Sequence, residues 1–130
     1  MIVRTTRNLL ILVALAVLAG CSSAPHYTVK KFSSGREIKI LGMGPIRLGN
    51  GTTTLMFNYQ TDLDISNIEG LKAEADDIWS VLKYDVAKNN FDSAVISAHD
   101  VPKGFLIKNG RSYNFVYEKG ADGNWHRLEK

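Results

Sequence analysis

Few residues in this chain have the types and spacing that catalysis or metal binding requires. Histidines occur at positions 26, 99 and 126, and a zinc site needs several His, Cys or carboxylate ligands that converge. His26 and His126 have no second histidine or free cysteine close by in the sequence. The pair His99-Asp100 has the residue types of an oriented general base, but adjacent residues on a strand point to opposite faces. We therefore predict no metal site and no catalytic histidine.

Other catalytic patterns are incomplete as well. No serine stands in a G-x-S-x-G elbow, and the glycine-rich stretch 42–51 lacks the lysine and serine of a phosphate-binding loop. Asp62 and Asp64 lack the remaining positions of an EF-hand loop. Asp76 and Asp77 are adjacent on a predicted helix, where their side chains diverge by about 100°. These patterns predict a protein that is not an enzyme and needs no cofactor.

Aromatic residues form the more informative set. Tyr113, Phe115 and Tyr117 alternate along one predicted strand and share one of its faces. We expect this face to pack against Trp79 and the helix as core. The alternative is an exposed binding surface, because tyrosine is enriched at interfaces. Tyr84 lies on the predicted helix opposite its apolar stripe and is a further candidate for contact with a partner. The candidate partner surface thus consists of Tyr84, Tyr113 and Tyr117.

The only cysteine, Cys21, follows a segment typical of export. Arg4 and Arg7 precede an uninterrupted apolar run of 11 residues, from Leu9 to Ala19. A membrane-spanning helix needs about 20 apolar residues, whereas the apolar part of a secretory signal has roughly 7–15. The run therefore predicts a signal peptide over residues 1–20.

The four residues Leu18-Ala19-Gly20-Cys21 resemble the lipobox of bacterial lipoproteins. This resemblance implies cleavage after Gly20, a diacylglyceryl thioether on Cys21 and usually a third acyl chain on the new amino group. Each buried methylene contributes about 0.8 kcal/mol, so several chains hold a protein on a membrane far more firmly than one. Ser22, as the second mature residue, implies sorting to the outer membrane of Gram-negative bacteria. The alternative is an ordinary cleavable signal with a cysteine near its cut by chance.

The rest of the chain has the general look of small, uncharacterised envelope lipoproteins with an α+β module, without the motifs of a named domain family. Without the leader it contains 14 basic and 13 acidic residues, a net charge of +1. Nucleic-acid binding needs a dense cationic face, so we predict no nucleic-acid partner. Acidic residues concentrate between positions 62 and 100. We expect an acidic helix beside basic strands; two faces of opposite sign that dock different partners are the alternative.

Several of the residues discussed above, including Trp79 and Tyr84, lie on one predicted helix. Ser66 and Glu69 have the spacing of a capping box, and an apolar stripe at helical spacing then predicts a helix to about Lys88. Asn89-Asn90 is the predicted stop. The stripe consists of Ile68, Leu71, Ala75, Ile78, Trp79, Leu82 and Val86.

Strands are predicted on both sides of this helix. Alternating or β-prone residues mark 36–41, 46–48, 52–60, 93–98, 105–108, 112–118 and 124–128. The stretch from Gly42 to Pro45 is predicted to end the first strand. Turns are predicted at residues 49–51, at Asn109-Gly110 and at residues 120–123. Within the third strand, Leu55, Phe57 and Tyr59 line one face.

This order predicts an α+β fold, in which one long amphipathic helix packs on one face of an antiparallel sheet of four to six strands. The predicted organisation is a signal peptide over 1–20, a lipidated N-terminus and tether over 21–35, and a single domain over 36–130. A short strand that includes Tyr27, Val29 and Phe32 is the alternative to the tether.

The function predicted from these features is that of a membrane-anchored binding or scaffold module of the bacterial envelope. Its partners are the membrane, through the lipid on Cys21, and an envelope protein. An inhibitor or immunity protein against an exported hydrolase or toxin is the alternative, and a small-ligand or lipid-binding module is the third hypothesis. We expect the protein at the outer membrane, facing the periplasm.

Overall fold

The computed structural model describes residues 26–102 and 110–129. The predicted signal peptide, Cys21, the strand predicted over 105–108 and Asn109 lie outside the described residues. The described chain forms six strands and one helix, in the order β1 (Thr28–Lys31), β2 (Glu37–Arg47), β3 (Thr53–Gln60), α1 (Ile68–Lys88), β4 (Ser93–His99), β5 (Ser112–Lys119) and β6 (Trp125–Arg127).

The strands form a single sheet in which the spatial order follows the chain order, from β1 to β6. Neighbouring strands are antiparallel except for β3 and β4, which are parallel. The exception arises because α1 lies between these two strands and returns the chain to the end from which β3 began. The α+β prediction of one long helix on one face of the sheet is confirmed, with six strands and a mostly antiparallel sheet.

The core lies between α1 and the face of the sheet that it covers. Leu55, Phe57 and Tyr59 of β3 are buried on this face, as their alternation predicts. The predicted apolar stripe of α1 is buried against them at five positions and partly buried at Ile68 and Trp79. Such a stripe buries itself because transfer of apolar surface out of water is favourable.

Ion pairs clamp both flanks of α1 to the sheet. On one side, Arg36 Nε lies 2.7 Å from an oxygen of Asp77. On the other side, Arg127 Nη1 lies 2.6 Å from an oxygen of Asp76. The acidic helix thus packs beside Arg127 of β6 and beside Arg36, which directly precedes β2.

The prediction for β2 was wrong in one respect. Gly42 to Pro45 does not end the strand, which continues to Arg47 with a register shift between Ile40 and Gly42. β1 covers only the part of β2 up to Ile40. The remainder of β2 is therefore an edge among the described strands, and a sheet edge accommodates proline without loss of a ladder hydrogen bond. The turn predicted at 49–51 is confirmed, with Gly51 at φ 86°.

The N-terminal boundary also differs from the predicted tether. β1 pairs with β2 in an antiparallel register that places Thr28 opposite Ile40, and Phe32 is buried in the core. Residues 28–32 thus belong to the folded domain, which is the alternative that their apolar side chains indicated. Alternation over only four residues is too brief to separate a strand from a tether.

The N-cap of α1 lies one residue later than the predicted cap, Ser66. Asn67 is the N-cap, and its side-chain oxygen accepts a hydrogen bond from the Gly70 amide at 3.1 Å. Ser66 instead donates its hydroxyl hydrogen bond to Asp64 at 2.6 Å. The capping-box prediction was wrong because asparagine caps a helix as well as serine does, so the sequence offers two adjacent candidates.

Within the described residues, no helix is both long enough and apolar enough to cross a membrane.

Candidate binding surface

The side chains of His99 and Asp100 have different hydrogen-bond partners, in line with the prediction that His99 is not a catalytic base. His99 Nε2 lies 3.0 Å from the side-chain oxygen of Asn58, whereas the Asp100 carboxylate accepts a hydrogen bond from the Arg111 amide at 2.6 Å. Burial lowers the pKa of His99, and the nearby Asp100 charge opposes this effect only in part. Because the two side chains have different partners, they do not form an oriented general base.

His126 is paired with a carboxylate in a turn. Its Nε2 atom lies 3.1 Å from an oxygen of Asp122, and Asp122 also accepts a hydrogen bond from the Asn124 amide at 3.0 Å. The hydrogen bond from the Asn124 backbone amide and the one from the His126 side chain lower the pKa of Asp122. Across residues 26–102 and 110–129, no group of three or more histidine, cysteine or acidic side chains is arranged to hold a metal ion.

Tyr117, one of the candidate partner-surface residues, belongs to the core. It is 3% exposed, and its ring stacks on Trp79 with centroids 4.3 Å apart. Its hydroxyl makes no well-aligned hydrogen bond among the described residues. Burial raises the pKa of Tyr117 to about 12, and the nearby Arg127 guanidinium opposes this effect only in part. Tyr117 is therefore not a partner contact in the folded domain, and its strand face packs against Trp79, as we expected.

The other two candidate tyrosines differ in exposure. Tyr113 is half-buried beside Phe115, with ring centroids 5.0 Å apart. Tyr84 is 69% exposed on α1, with the ammonium of Lys83 5.4 Å from its ring centroid. Of the three candidate residues, Tyr84 is thus the one that a partner can reach over most of its side chain.

A larger candidate surface is the face of the sheet opposite α1, on which no helix packs within residues 26–102 and 110–129 and which we call the uncovered face. The register places Met56, Val95 and Val116 side by side across β3, β4 and β5. Leu128 extends this row, since its amide donates to the Val116 carbonyl at 2.8 Å. The first three are half-buried and Leu128 is 49% exposed. The result is a continuous apolar row across four neighbouring segments.

Hydrogen-bonded polar side chains flank the apolar row on both sides. Thr54 and Ser93 share a hydrogen bond between their hydroxyl groups at 2.6 Å. On the other side of the row, Ser97 donates to Asn114 at 2.6 Å. These cross-strand pairs satisfy polar atoms that packing within the sheet partly removes from water. They also hold the uncovered face in one defined shape.

A buried polar cluster beneath α1 was not predicted from the sequence. The Glu74 carboxylate accepts hydrogen bonds from Thr61 at 2.6 Å and from Tyr59 at 3.3 Å, and Arg36 lies 3.7 Å away. Burial, followed by the Glu74 charge, raises the pKa of Tyr59 far above its ordinary value. One signal was available: Glu74 lies three residues after Leu71, within the apolar stripe. The cluster fastens α1 to the sheet, because a buried carboxylate must be paired and hydrogen-bonded.

The apolar cavity between β2 and α1 is small. It has a volume of about 90 Å³ and is lined mainly by apolar residues, including Phe32, Met43 and Leu82. Small-molecule sites usually measure about 300–1,000 Å³. This cavity therefore has room for one small side chain but not for a cofactor or an acyl chain.

Comparisons with protein-family models, with curated proteins and with solved structures found no match to this chain. The assignment of a function thus depends on its own residues and their arrangement.

Proposed function

We propose that this protein is a lipid-anchored binding module of the bacterial envelope that holds a protein partner against its uncovered face. The observation that carries the proposal is the apolar row of Met56, Val95, Val116 and Leu128 between fixed polar pairs. An apolar centre with a hydrogen-bonding rim is the usual anatomy of a protein interface. The lipid anchor is proposed from the resemblance of residues 18–21 to a lipobox.

A non-enzymatic role fits the way in which the candidate catalytic groups are engaged. His99 is bonded to Asn58, Asp100 to Arg111, and His126 to Asp122. Each of these groups is committed to a strand or turn contact rather than directed at a shared point, as a reacting substrate would require.

The size of the uncovered face indicates a modest affinity for the partner. Its three full-length strands, β3, β4 and β5, have seven or eight residues each and lie about 4.8 Å apart, so they span on the order of 350 Å². A specific interface of standard size takes roughly 800 Å² from each partner. Confinement of both proteins to one membrane raises their effective concentration and offsets a weak contact. A partner that is itself anchored in the envelope therefore fits this surface best.

The anchor is tested at Cys21. We expect the Cys21→Ser protein to lose labelling by fatty-acid analogues and either to leave the membrane fraction or to accumulate as an uncleaved precursor. Wild-type protein should be labelled and should sediment with outer membranes in a density gradient. Labelling that survives the substitution contradicts the proposed anchor.

The docking surface is tested by comparing two lysine substitutions. Val116→Lys places a charge in the apolar row, whereas Tyr84→Lys places the same charge on the outer face of α1. After cross-linking in intact cells, we expect wild-type and Tyr84→Lys proteins to retrieve the same stoichiometric partner and Val116→Lys to lose it. Circular dichroism of the purified variants establishes that both are folded.

The opposite pattern, with loss at Tyr84→Lys and retention at Val116→Lys, would move the docking surface to α1 and contradict the proposed face. A partner that proves to be an exported hydrolase or toxin, inactivated on binding, would replace the scaffold role with that of an inhibitor.

A further inference from the structure

Exposed apolar side chains concentrate along the β1–β2 edge of the sheet, where Met43 projects on the α1 side and Val29 and Ile46 project on the opposite side. Eight large hydrophobic residues are exposed in the described chain, and five of them belong to β1, β2 and the residues adjoining these strands. Their exposed fractions lie between 43% and 56%. Scattered single residues of this kind are normal, but a cluster marks a contact surface. We call this cluster the β1–β2 margin; it consists of Tyr27, Val29, Met43, Ile46 and Leu48.

The same margin is basic. Lys30, Lys31, Lys39 and Arg47 stand on β1 and β2 with Glu37 as the one acidic residue of these strands. Lys39 pairs with Asp62 at 3.1 Å. Arg47 and Lys31 have no ion pair among the described residues. Exposed apolar groups interspersed with cations are the combination that binds the headgroup region of an anionic bilayer.

The chain connection places this margin close to the proposed anchor. Cys21 stands seven residues before Thr28, a distance of at most about 25 Å along an extended chain. β1 runs antiparallel to β2, so Thr28 lies opposite Ile40 and Lys31 lies opposite Glu37. The residues that precede Thr28 therefore enter the domain from the side on which Arg47 lies.

We propose that the β1–β2 margin rests on the lipid surface to which Cys21 is anchored, with apolar side chains at the acyl boundary and cations at anionic headgroups. This inference depends on the anchoring in the proposed function. It also orients the uncovered face. β4, β5 and β6 follow β3 at the far end of the strand order from β1. The part of the uncovered face that they form therefore lies away from the membrane.

The test uses full-length lipidated protein in vesicles of phosphatidylethanolamine and phosphatidylglycerol that contain a spin-labelled lipid. Leu48→Cys and Tyr84→Cys each introduce one reactive thiol, because acylated Cys21 does not react, and each is labelled with an environment-sensitive fluorophore. Leu48 belongs to the margin, whereas Tyr84 lies on the outer face of α1 and is the matched control. We expect the fluorophore at Leu48→Cys to shift its emission to shorter wavelength and to be quenched by the spin-labelled lipid. The fluorophore at Tyr84→Cys should show neither effect.

The basic residues supply a second readout. Each lysine or arginine near an anionic surface changes the contact equilibrium roughly fivefold. In labelled Leu48→Cys protein, Lys31→Gln and Arg47→Gln should therefore each reduce the quenched fraction, as should vesicles of phosphatidylcholine alone. Protein that floats with the vesicles is anchored. If such protein is quenched equally at both labelled positions, or at neither, the inference is overturned but the anchor is not. Protein that carries no acyl chain and does not float overturns both.

Discussion

Glu74 shows how a single acidic residue can belong to a core. Glu74 is 9% exposed. Its carboxylate accepts hydrogen bonds from Thr61 and Tyr59. Glu74 belongs to α1 and its charge lies between the helix and the sheet. The desolvation cost of this charge is offset by these hydrogen bonds and by the Arg36 guanidinium at 3.7 Å. The two buried tyrosines near the helix therefore differ. The Tyr59 hydroxyl donates a hydrogen bond to a buried carboxylate, whereas the Tyr117 hydroxyl makes no well-aligned hydrogen bond among the described residues.

Replacement of each tyrosine by phenylalanine separates these roles. Tyr59→Phe removes a donor from a buried carboxylate, so we expect the free energy of unfolding to fall by about 1–3 kcal/mol. Tyr117→Phe removes a hydroxyl that makes no well-aligned hydrogen bond among the described residues, so its effect should be neutral or stabilising. Urea denaturation of both variants measures the difference. Equal losses would show that the Tyr117 hydroxyl is satisfied.

His99 gives the stability a dependence on pH. Because burial lowers its pKa from the ordinary value of 6.5, the unfolded chain binds a proton more readily than the folded one. Stability should therefore fall as the pH decreases through about 6.5. His99→Gln should flatten this part of the profile, as followed by thermal unfolding between pH 8 and pH 5, about the range in which histidines titrate. An unchanged slope in His99→Gln would assign the acid sensitivity to other groups, and His26→Gln is the matched histidine control.

The site residues could be predicted from the sequence only in part. Alternation along the chain identifies which residues of β3 share a face, and it placed Leu55, Phe57 and Tyr59 correctly. It does not say that Met56 aligns with Val95 and Val116, because that row depends on the register between strands distant in sequence. The sequence therefore indicates tyrosines as the partner surface, and one of them, Tyr117, lies in the core.

At the scale of elements, α1 is the part of the fold that the sequence specifies most completely. Its apolar stripe repeats from Ile68 to Val86, so the helical period is clear. The helix ends at Lys88, as predicted. β2 was divided wrongly because Gly42, Gly44 and Pro45 are poor strand formers. Pairing with β3 along nearly the whole strand outweighs these local preferences. Short segments such as β1 gain their structure from a neighbour, which the local sequence does not reveal.

The N-cap of α1 provides a test at this scale. Asn67→Ala removes the acceptor for the Gly70 amide, and the expected loss in the free energy of unfolding is about 1 kcal/mol. Ser66→Ala removes a hydroxyl that bonds to Asp64 on the surface, and its effect should stay within about 0.5 kcal/mol. Chemical denaturation of the two variants compares them directly. A larger loss at Ser66 would restore the capping box that the sequence indicates.

At the scale of the whole molecule, the protection of backbone amides against hydrogen exchange should decrease from the centre of the sheet to its margins. β3 and β4 have a strand on each side and contribute Tyr59 and Ile96 to the core. β1 and β6 lie at the ends of the described sheet and have four and three residues. We expect amide hydrogen exchange to be slowest in β3 and β4, as measured by mass spectrometry of peptides. Equally slow exchange in β6 would indicate that something covers it.

The single parallel pair of strands also has a consequence for how the chain folds. Within 26–60 and within 93–129, the described strands pair only with the next strand in sequence. Each half can therefore begin to form by closing short loops. The pairing of β3 with β4 must close the much longer segment 61–92, and closure over a longer segment costs more chain entropy. Folding should be limited by this step, in which α1 docks and joins two locally formed meanders into one sheet.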